Sequence, residues 1–392
     1  MSLYKYFRIS KPAPDRVPGD RVDAEYRRLR SRTFWGASVV YSLYYVCRMT
    51  LSVVKQPLID GGVLSASDLG LIGSALLLVY AFGKFVNGFI ADYCNIRRFM
   101  AAGLFVSAAV NLVMGLLGFF GRAVSVPGIV MMAVFFILWG ANGWVQSMGA
   151  PPGIINLSRW FPLSKRGTYY SIFSSTPYIG KFLTFILTGV IVGALGWEWG
   201  FIFAAAAGFA GTAISLVFIS DTPESKGLPS IQELSGEKPV KTDSMPTREL
   251  QKIVLRHPGI WIIALSSAFV YITQYAISGW GVLFLQKAKD FSLQGATQII
   301  AFSEAFGVAG TIFAGWLSDT VFRGDRVKPV LISGIFCCAS LLLFVTGYLI
   351  EGGADKAYDF TAAAIFWTAA CVLSFVLPVL NWRSMMKKVV EA

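Results

Sequence analysis

Hydrophobic residues fall into long runs that are separated by short polar stretches. Each run has roughly 20 residues, which is enough for a helix to cross the roughly 30 Å hydrocarbon core of a bilayer. Helices are favoured there because they satisfy their own backbone hydrogen bonds. The pattern predicts an all-α, polytopic membrane protein with about ten spans, at residues 34–54, 69–91, 98–121, 128–150, 168–195, 198–220, 259–286, 296–318, 328–350 and 360–381.

One polar segment is much longer than the others. Residues 221–258 contain five prolines and many charged side chains, a composition typical of a linker. The segment divides the hydrophobic runs into six before it and four after it. We therefore expect an N-terminal tail (1–33), a six-helix half (34–220), a cytoplasmic linker (221–258), a C-terminal half with about four helices (259–381) and a C-terminal tail (382–392).

A short motif occurs once in each predicted half. Residues 88–92, GFIAD, recur 227 positions later as residues 315–319, GWLSD. Repeated halves are typical of secondary transporters, whose solute site lies near the bilayer midplane between them. Aspartate and arginine at the cytoplasmic end of each copy can form a charge-assisted latch, or can serve only as topological anchors. The candidates for this conformational role are Asp92, Arg97, Arg98, Asp319 and Arg323.

The composition agrees with a membrane protein. Hydrophobic residues make up 55% of the chain against 14% charged, and the mean hydropathy is +0.61. The net charge of +12 comes from cations in the N-terminal tail and in alternate loops, as the positive-inside rule requires of cytoplasmic segments. The distribution of charge therefore predicts that both termini lie in the cytoplasm. It does not indicate a nucleic-acid partner, because binding of nucleic acid would require a basic face on a soluble domain.

Sequence signatures of enzymes are absent. The chain has no P-loop, no Ser/His pair and no His, Cys and Glu residues at metal-ligand spacing. Its single histidine, His257, lies in the predicted linker, and the five cysteines lie within or beside hydrophobic runs without metal-ligand spacing. We expect a protein that is not an enzyme and that uses no metal and no cofactor.

Four charged residues stand out because they lie well inside predicted spans rather than at their edges: Arg48, Lys84, Lys181 and Glu304. Such residues are rare and costly in a bilayer, so each is a functional candidate. The planar guanidinium of Arg48 suits bidentate binding of phosphate or carboxylate, although a structural ion pair with a residue such as Glu304 would also explain it. Lys84 and Lys181 can each add positive charge to an anion site at Arg48. As alternatives, Lys84 can form an ion pair with a carboxylate, and the side chain of Lys181 can extend to the membrane surface. Glu304 is expected to act in gating, either as a counter-ion to these cations or as a carboxylate that couples transport to a proton.

Four segments follow one another in a recognisable order, and two of them contain Arg48 and Lys84. They read YYVCR at 44–48, KFVNG at 84–88, GWVQSMGAPP at 143–152 and DTPESKGLP at 221–229. Together they resemble the organophosphate:phosphate antiporter family, a branch of the major facilitator superfamily. The resemblance implies a major facilitator fold of two pseudo-symmetric helical halves. It also implies exchange of glycerol 3-phosphate or a hexose 6-phosphate for inorganic phosphate by alternating access.

The resemblance also assigns site residues. In the family, two arginines on the first and seventh helices hold the phosphate, and a lysine lies on the second helix. Arg48 and Lys84 match the first arginine and the lysine, whereas Gln274 occupies the place of the second arginine, 226 positions after Arg48. The resemblance therefore implies an anion site that contains Arg48 and Lys84, with Gln274 and Tyr271 binding from the other half.

A second departure concerns the fifth span. Pro177 stands where the family has a histidine that helps bind substrate, and Lys181 follows four residues later. Residues four apart share one face of a helix. We therefore expect Lys181 to return a cation to the site.

The chain also differs from the family in length. After the ninth span it continues into residues that resemble the start of the family's twelfth helix, so about ten of the usual twelve spans are visible. We expect a monomer in the bacterial inner membrane. Its expected partners are the lipid bilayer and a small anionic solute, namely a phosphate ester or inorganic phosphate. Two alternatives remain open, a facilitator for a sugar acid or another carboxylate, and a transport-incompetent sugar-phosphate sensor.

Overall fold

The computed structural model describes residues 6–123, 126–236, 247–322, 327–350 and 361–390. These residues form helices joined by short connections, and the described ranges contain no strand beyond an isolated bridge between Arg8 and Cys94. The helices are α1 (Val22–Asp60), α2 (Ala66–Ala91), α3 (Ile96–Ala123), α4 (Gly128–Gln146), α5 (Ala150–Trp160), α6 (Leu163–Leu183), α7 (Gly189–Leu195), α8 (Trp197–Phe218), α9 (Ile231–Ser235), α10 (Thr247–Arg256), α11 (Pro258–Ala288), α12 (Leu293–Trp316), α13 (Val327–Ile350) and α14 (Thr361–Val390).

Eight helical segments in the described ranges are long and apolar enough to cross a membrane. Two shorter apolar stretches, Leu331–Leu343 and Thr361–Leu377, fall where the ninth and tenth spans are predicted. The prediction of an all-α, multi-pass membrane protein is therefore confirmed.

Several helices begin where the sequence carries a helix-start signal. The Ser65 hydroxyl accepts a hydrogen bond from the Asp68 N–H, and the Asp68 carboxylate accepts one from the Ser65 N–H at 2.9 Å, so α2 opens with a capping box. At the start of α12, the Ser292 hydroxyl accepts from the Gly295 N–H at 3.1 Å. Proline fits the first helical position because that position needs no N–H partner, and α11 begins at Pro258.

Two helices have ends that differ from the bounds of the predicted spans. The first span was expected at residues 34–54, but α1 continues from Val22 to Asp60. The fourth span was expected to reach residue 150, but α4 ends at Gln146 and a new helix, α5, starts at Ala150. The break lies directly before Pro151 and Pro152, which fit the first turn of a helix but not its interior.

The helices group into two units. One comprises residues 1–240 with residues 297–308, and the other comprises residues 241–296 with residues 309–392. The predicted domain boundaries at 34–220 and 259–381 stay a prediction. A middle part of α12 thus belongs with the N-terminal helices, which matters because Glu304 lies in it.

The first unit is built around α1. This helix packs against α6 and α8, while α3 packs on α8 and α2 packs on α4. Most of α1 between residues 33 and 56 is buried, including polar side chains. In the second unit, α11 and α13 both pack on α14, and the Thr273 hydroxyl donates to the Trp367 carbonyl at 3.4 Å.

Candidate functional site

Arg48 lies in the buried part of α1, with only 4% of its surface exposed. Its guanidinium carbon is 3.9 Å from the ring centroid of Tyr80 on α2 and 5.7 Å from that of Tyr45 on its own helix. A guanidinium over the face of an aromatic ring is attracted by the ring quadrupole, and more strongly when both groups are away from water. The aromatic wall therefore stabilises the charge of Arg48 deep inside the unit.

Lys84 lies one helical turn after Tyr80 on α2 and is half-buried. Its Nζ is 5.7 Å from the Tyr80 ring centroid, so the one ring lies near both cations. The negative face of the ring offsets part of the repulsion between two positive charges. Sequence reasoning missed Tyr80, although its position four residues before Lys84 placed it on the same face of α2.

A buried amide network fixes the backbone of α1 at this level. The carbonyl oxygen of Cys47, directly before Arg48, accepts hydrogen bonds from Asn111 Nδ2 at 3.0 Å and from Asn142 Nδ2 at 3.4 Å. The Ser107 hydroxyl donates to Asn142 Oδ1 at 2.6 Å and accepts from Gln146 Nε2 at 2.8 Å. These side chains are all buried. Helices α3 and α4 therefore hold α1 next to its arginine.

The same helix α4 also holds α2. At Gly143 the two backbones approach so closely that an added Cβ would collide with the Leu76 carbonyl of α2. One turn further, Asn87 Nδ2 of α2 donates to the Ser147 hydroxyl at 2.7 Å. Because Asn142 and Gly143 are neighbours, α4 sets the register between the helix of Arg48 and the helix of Lys84. This explains the physical role of the segment GWVQSMGAPP.

Lys181 and Glu304 form a buried ion pair. The distance between Lys181 Nζ and Glu304 Oε2 is 2.7 Å, and their side chains are 2% and 6% exposed. The Lys181 Nζ also lies 4.9 Å from the Tyr178 ring centroid. The carboxylate that faces this cation offsets its charge, which is how a buried charge is tolerated. The predicted contact of Lys181 with substrate stays a prediction.

The local backbone positions Lys181 near α1. The Ser42 hydroxyl of α1 donates to the Thr176 carbonyl of α6 at 3.0 Å, one turn before Lys181. Pro177 lies inside α6, and a π-helical turn, Thr184–Thr188, follows the helix directly. Such wider turns are frequent at functional sites.

Tyr271 and Gln274 both lie in α11 of the second unit, less than one turn apart. Tyr271 is 41% exposed and its ring stacks on Tyr275 at 5.8 Å between centroids. Gln274 is half-buried. Their contribution to the site stays a prediction.

The first copy of the repeated motif lies at the α2–α3 connection. Asp92 follows α2 directly, while Arg97 and Arg98 lie in the first turn of α3. Arg98 Nη1 donates to the Tyr6 carbonyl at 2.6 Å, and the Arg97 carbonyl accepts from the Ser215 hydroxyl at 3.0 Å. In the second copy, Asp319 lies in a π-helical turn, Leu317–Val321, and Arg323 lies outside the described residues. The predicted latch role of these residues stays a prediction.

A buried carboxylate that sequence reasoning did not single out lies beside the first copy. Asp221 accepts from Arg159 Nη1 at 2.5 Å, from the Ile96 N–H at 3.0 Å and from the Ser10 N–H at 2.7 Å. It therefore joins the N-terminal segment, the α2–α3 connection, the end of α5 and the segment after α8. The available signal was the position of Asp221 at the start of the motif DTPESKGLP.

Two further buried charges were also missed. Lys55 is 4% exposed and lies inside α1, one residue beyond the predicted end of the first span. Glu198 is fully buried in the first turn of α8. Lys55 lies just outside the predicted first span and Glu198 is the first residue of the predicted sixth span, so both stand at span edges, which hydropathy alone places only within a few residues.

The arrangement around Arg48 suits binding of an anion. It presents charged N–H donors in a place from which water is largely excluded, where electrostatic attraction is stronger than in bulk water. Within the described ranges, no group of three or more His, Cys, Asp and Glu side chains could hold a metal ion.

Comparisons with known proteins agree with this architecture. The sequence profile of the Major Facilitator Superfamily matches residues 37–387. A glycerol-3-phosphate transporter from Bacillus subtilis (strain 168) is 32% identical over 361 residues, which is 90% of this chain and 78% of the relative. A probable hexose phosphate transport protein from Chlamydia trachomatis serovar D is 32% identical over 336 residues, which is 82% of this chain and 71% of the relative.

Similarity to solved structures supports the fold. The inward-facing, unoccupied structure of a bacterial homolog to the human lysosomal transporter Spinster aligns with a TM-score of 0.60. The alignment covers 89% of this chain and 73% of that chain at 18% sequence identity. At this identity the similarity concerns the path of the chain and not its substrate.

Proposed function

Because this chain belongs to the major facilitator superfamily, and within it to the organophosphate:phosphate antiporter family, we propose that it exchanges a phosphorylated small metabolite for inorganic phosphate. The proposed solute class is that of glycerol 3-phosphate or a hexose 6-phosphate, since the names of the two relatives refer to glycerol 3-phosphate and to hexose phosphate. The observation that supports this most is the buried guanidinium of Arg48, stacked on Tyr80 beside Lys84.

The proposed binding set follows from the chemistry of phosphate. Arg48 offers a planar fork that matches two phosphate oxygens, and Lys84 adds a second positive charge. Lys181 contributes positive potential that is tempered by Glu304, its ion-pair partner. By the family resemblance, Gln274 and Tyr271 are proposed to offer neutral hydrogen-bonding groups to the solute.

We place the protein in the bacterial inner membrane as a monomer with both termini in the cytoplasm. The distribution of cations supports this orientation, since positive residues favour cytoplasmic loops. The solute site then opens alternately to either side as the two halves of the protein move. The residues proposed to act in this movement are Asp92, Arg97, Arg98, Glu304, Asp319 and Arg323.

A second candidate function is transport of an organic carboxylate. Gln274 favours it, because a neutral amide replaces the second arginine and one guanidinium is sufficient to bind a carboxylate. The two candidates differ in their response to inorganic phosphate, which competes only at a phosphate site.

Counterflow in proteoliposomes tests the proposed exchange. We expect the full chain to take up labelled glycerol 3-phosphate or hexose 6-phosphate into vesicles loaded with inorganic phosphate and not into empty vesicles. The Arg48→Lys substitution keeps the charge but loses the bidentate fork, so uptake at low solute concentration should fall by about one to two decades. Lys165→Gln, which removes an exposed cation, is the matched control and should leave uptake unchanged.

Other outcomes would contradict exchange. Solute uptake that is not inhibited by excess inorganic phosphate would favour the carboxylate facilitator. Binding of the phosphate ester without exchange would favour a sensor, and equal uptake by the Arg48→Lys and Lys165→Gln variants would remove Arg48 from the site.

A further inference from the structure

An open groove lies between α1 and α8 at the end of the first unit that carries the N-terminal segment. Its volume is about 610 Å³. Gly36 brings α1 within contact of Phe218, and the groove runs along the helices from that contact. The groove lies far along α1 from Arg48, so it is separate from the proposed anion site.

The lining of the groove changes from charged to apolar along one face of α1. Arg28, Arg32, Trp35 and Val39 follow one another at intervals of three or four residues, which places them on one helix face. Trp35 is 55% exposed and Val39 is also exposed. The face therefore has two cations at one end and exposed apolar side chains beyond them, which is the polarity profile of a phospholipid.

The two arginines are held differently at the charged end. Arg32 Nη2 donates to the Val217 carbonyl in the last turn of α8, and its guanidinium lies 5.3 Å from the Phe218 ring centroid. Arg28 is 72% exposed, and Glu25 lies 3.6 Å away in an exposed pair of the kind that contributes little. Among the residues that the structure describes, no acidic side chain lines the groove itself. An anionic headgroup would therefore meet a net positive charge.

We propose that this groove binds an anionic phospholipid of the cytoplasmic leaflet. The phosphate lies at Arg28 and Arg32, and an acyl chain follows Trp35 and Val39. Basic pockets between transmembrane helices on the cytoplasmic side attract anionic headgroups, and tryptophan is enriched at the headgroup level. A lipid fits this groove better than a free phosphate, because only a lipid also covers the exposed apolar side chains.

Quenching of Trp35 fluorescence tests the proposal with the full chain. The protein is reconstituted in phosphatidylcholine vesicles that contain a small fraction of either brominated phosphatidylglycerol or brominated phosphatidylcholine, without transport substrate. The Trp35→Phe variant identifies the part of the quenching that belongs to Trp35. We expect stronger quenching by phosphatidylglycerol, and Arg28→Gln should lower that preference by about fivefold.

The choice of variants separates a site from a general surface charge. Arg27→Gln removes the adjacent exposed cation, which lies outside the groove lining, and should leave the preference unchanged. Arg28→Gln is the deciding variant, since Arg32→Gln also removes the hydrogen bond to α8. Glu25→Gln removes the nearby negative charge and should strengthen the preference.

Three results would overturn the proposal. Equal quenching by the two lipids would mean ordinary boundary lipid. An equal effect of Arg27→Gln and Arg28→Gln would mean surface potential only. Relief of the phosphatidylglycerol quenching by soluble glycerol phosphate would mean a site for the free anion.

Discussion

At the scale of single residues, the environment of each buried charge decides what it can do. Arg48 lies against an aromatic ring and beside another cation, whereas Lys181 faces a carboxylate at 2.7 Å. An aromatic ring offsets a cation only in part and leaves it able to attract an anion. A carboxylate neutralises it more fully. We therefore propose Arg48 as the principal anion-binding residue and Lys181 as the more structural one.

Neutralising one member of the Lys181–Glu304 pair tests whether Lys181 has a mainly structural role. Glu304→Gln leaves a buried ammonium without its carboxylate, and breaking a buried pair from one side typically lowers stability by about 3–5 kcal/mol. We expect a lower unfolding temperature for Glu304→Gln and for Lys181→Met. The double variant should recover much of the loss, because neither charge then remains buried alone. The unfolding temperatures of the wild type, the two single variants and the double variant, measured on purified protein in detergent, form a double-mutant cycle that gives the coupling between the two side chains.

The same double variant separates stability from binding. If Lys181 contributes positive potential to the anion site, the refolded double variant should still bind phosphate ester more weakly than the wild type. Unchanged affinity in a stable double variant would make the pair purely structural. Additive destabilisation by the two substitutions would contradict the pairing itself.

At the scale of elements, α4 determines how the cation-bearing helices align. Asn142 binds the Cys47 carbonyl of α1, and the neighbouring Gly143 lets the backbone of α2 approach. A hydrogen bond and a close backbone contact at consecutive positions restrict sliding of either helix. The distance between the charges of Arg48 and Lys84 therefore depends on a helix that carries neither of them.

Two glycines of α4 offer a matched comparison. Gly143→Ala introduces a Cβ that collides with the Leu76 carbonyl, whereas a Cβ at Gly140 would meet no atom closer than 3.9 Å. We expect Gly143→Ala to separate α4 from α2 and to weaken solute binding. Gly140→Ala should keep binding, with a stability change of up to about 1 kcal/mol in its favour from helix propensity. Solute affinity and thermal unfolding of both variants measure the difference.

The comparison has a clear failing outcome. If Gly143→Ala binds solute as tightly as Gly140→Ala, the register of α2 does not set the site. A loss of folding in Gly143→Ala alone would support the close contact, and the milder Asn87→Ala, which removes the bond to Ser147, would then report on binding.

At the scale of the whole chain, the first unit is tied together by contacts between distant segments. The N-terminal segment is held at both ends of its path, since the Asn95 N–H donates to the Phe7 carbonyl at 2.7 Å and the Val17 N–H donates to the Gly227 carbonyl at 2.9 Å. Asp221 lies between these contacts and accepts from the Ser10 N–H and from Arg159. One carboxylate thus joins four segments at one end of the helices.

The reactivity of a nearby thiol reports on this junction. Cys94 lies in the α2–α3 connection with its carbonyl accepting from Arg159, and burial raises the pKa of its thiol. Because the thiolate is the reactive form, Cys94 should react slowly with maleimide. Asp221→Asn should accelerate the reaction, since it loosens the junction and removes a negative charge that also raises this pKa. Labelling rates of a chain that retains Cys94 as its sole cysteine measure the effect.

A matched variant completes this test. Glu233→Gln removes an exposed carboxylate from α9 and should leave the labelling rate of Cys94 unchanged. An equal rate for wild type and Asp221→Asn would mean that the junction does not depend on the carboxylate.

Much of the molecule was predictable because the relevant physics acts along short stretches of chain. The length of each hydrophobic run determined that the protein is helical and crosses a membrane several times. The cost of a charge in a bilayer selected Arg48, Lys84, Lys181 and Glu304 as the residues to examine. Four short segments, in their order along the chain, were sufficient for a resemblance to the family.

The tertiary structure alone decided which of these residues meet. Lys181 and Glu304 are 123 positions apart in the sequence, and Asp221 and Arg159 are 62 positions apart, so local patterns contain no information on either pair. The sequence does not distinguish Tyr80 from the many other aromatic residues. Its contact with Arg48 is seen only in the packed structure, where α4 holds α2 beside α1. The sequence determined which charges lie well inside the hydrophobic runs. Packing determined that Lys181 meets a carboxylate and that Arg48 meets an aromatic ring, because these contacts depend on neighbours from distant helices.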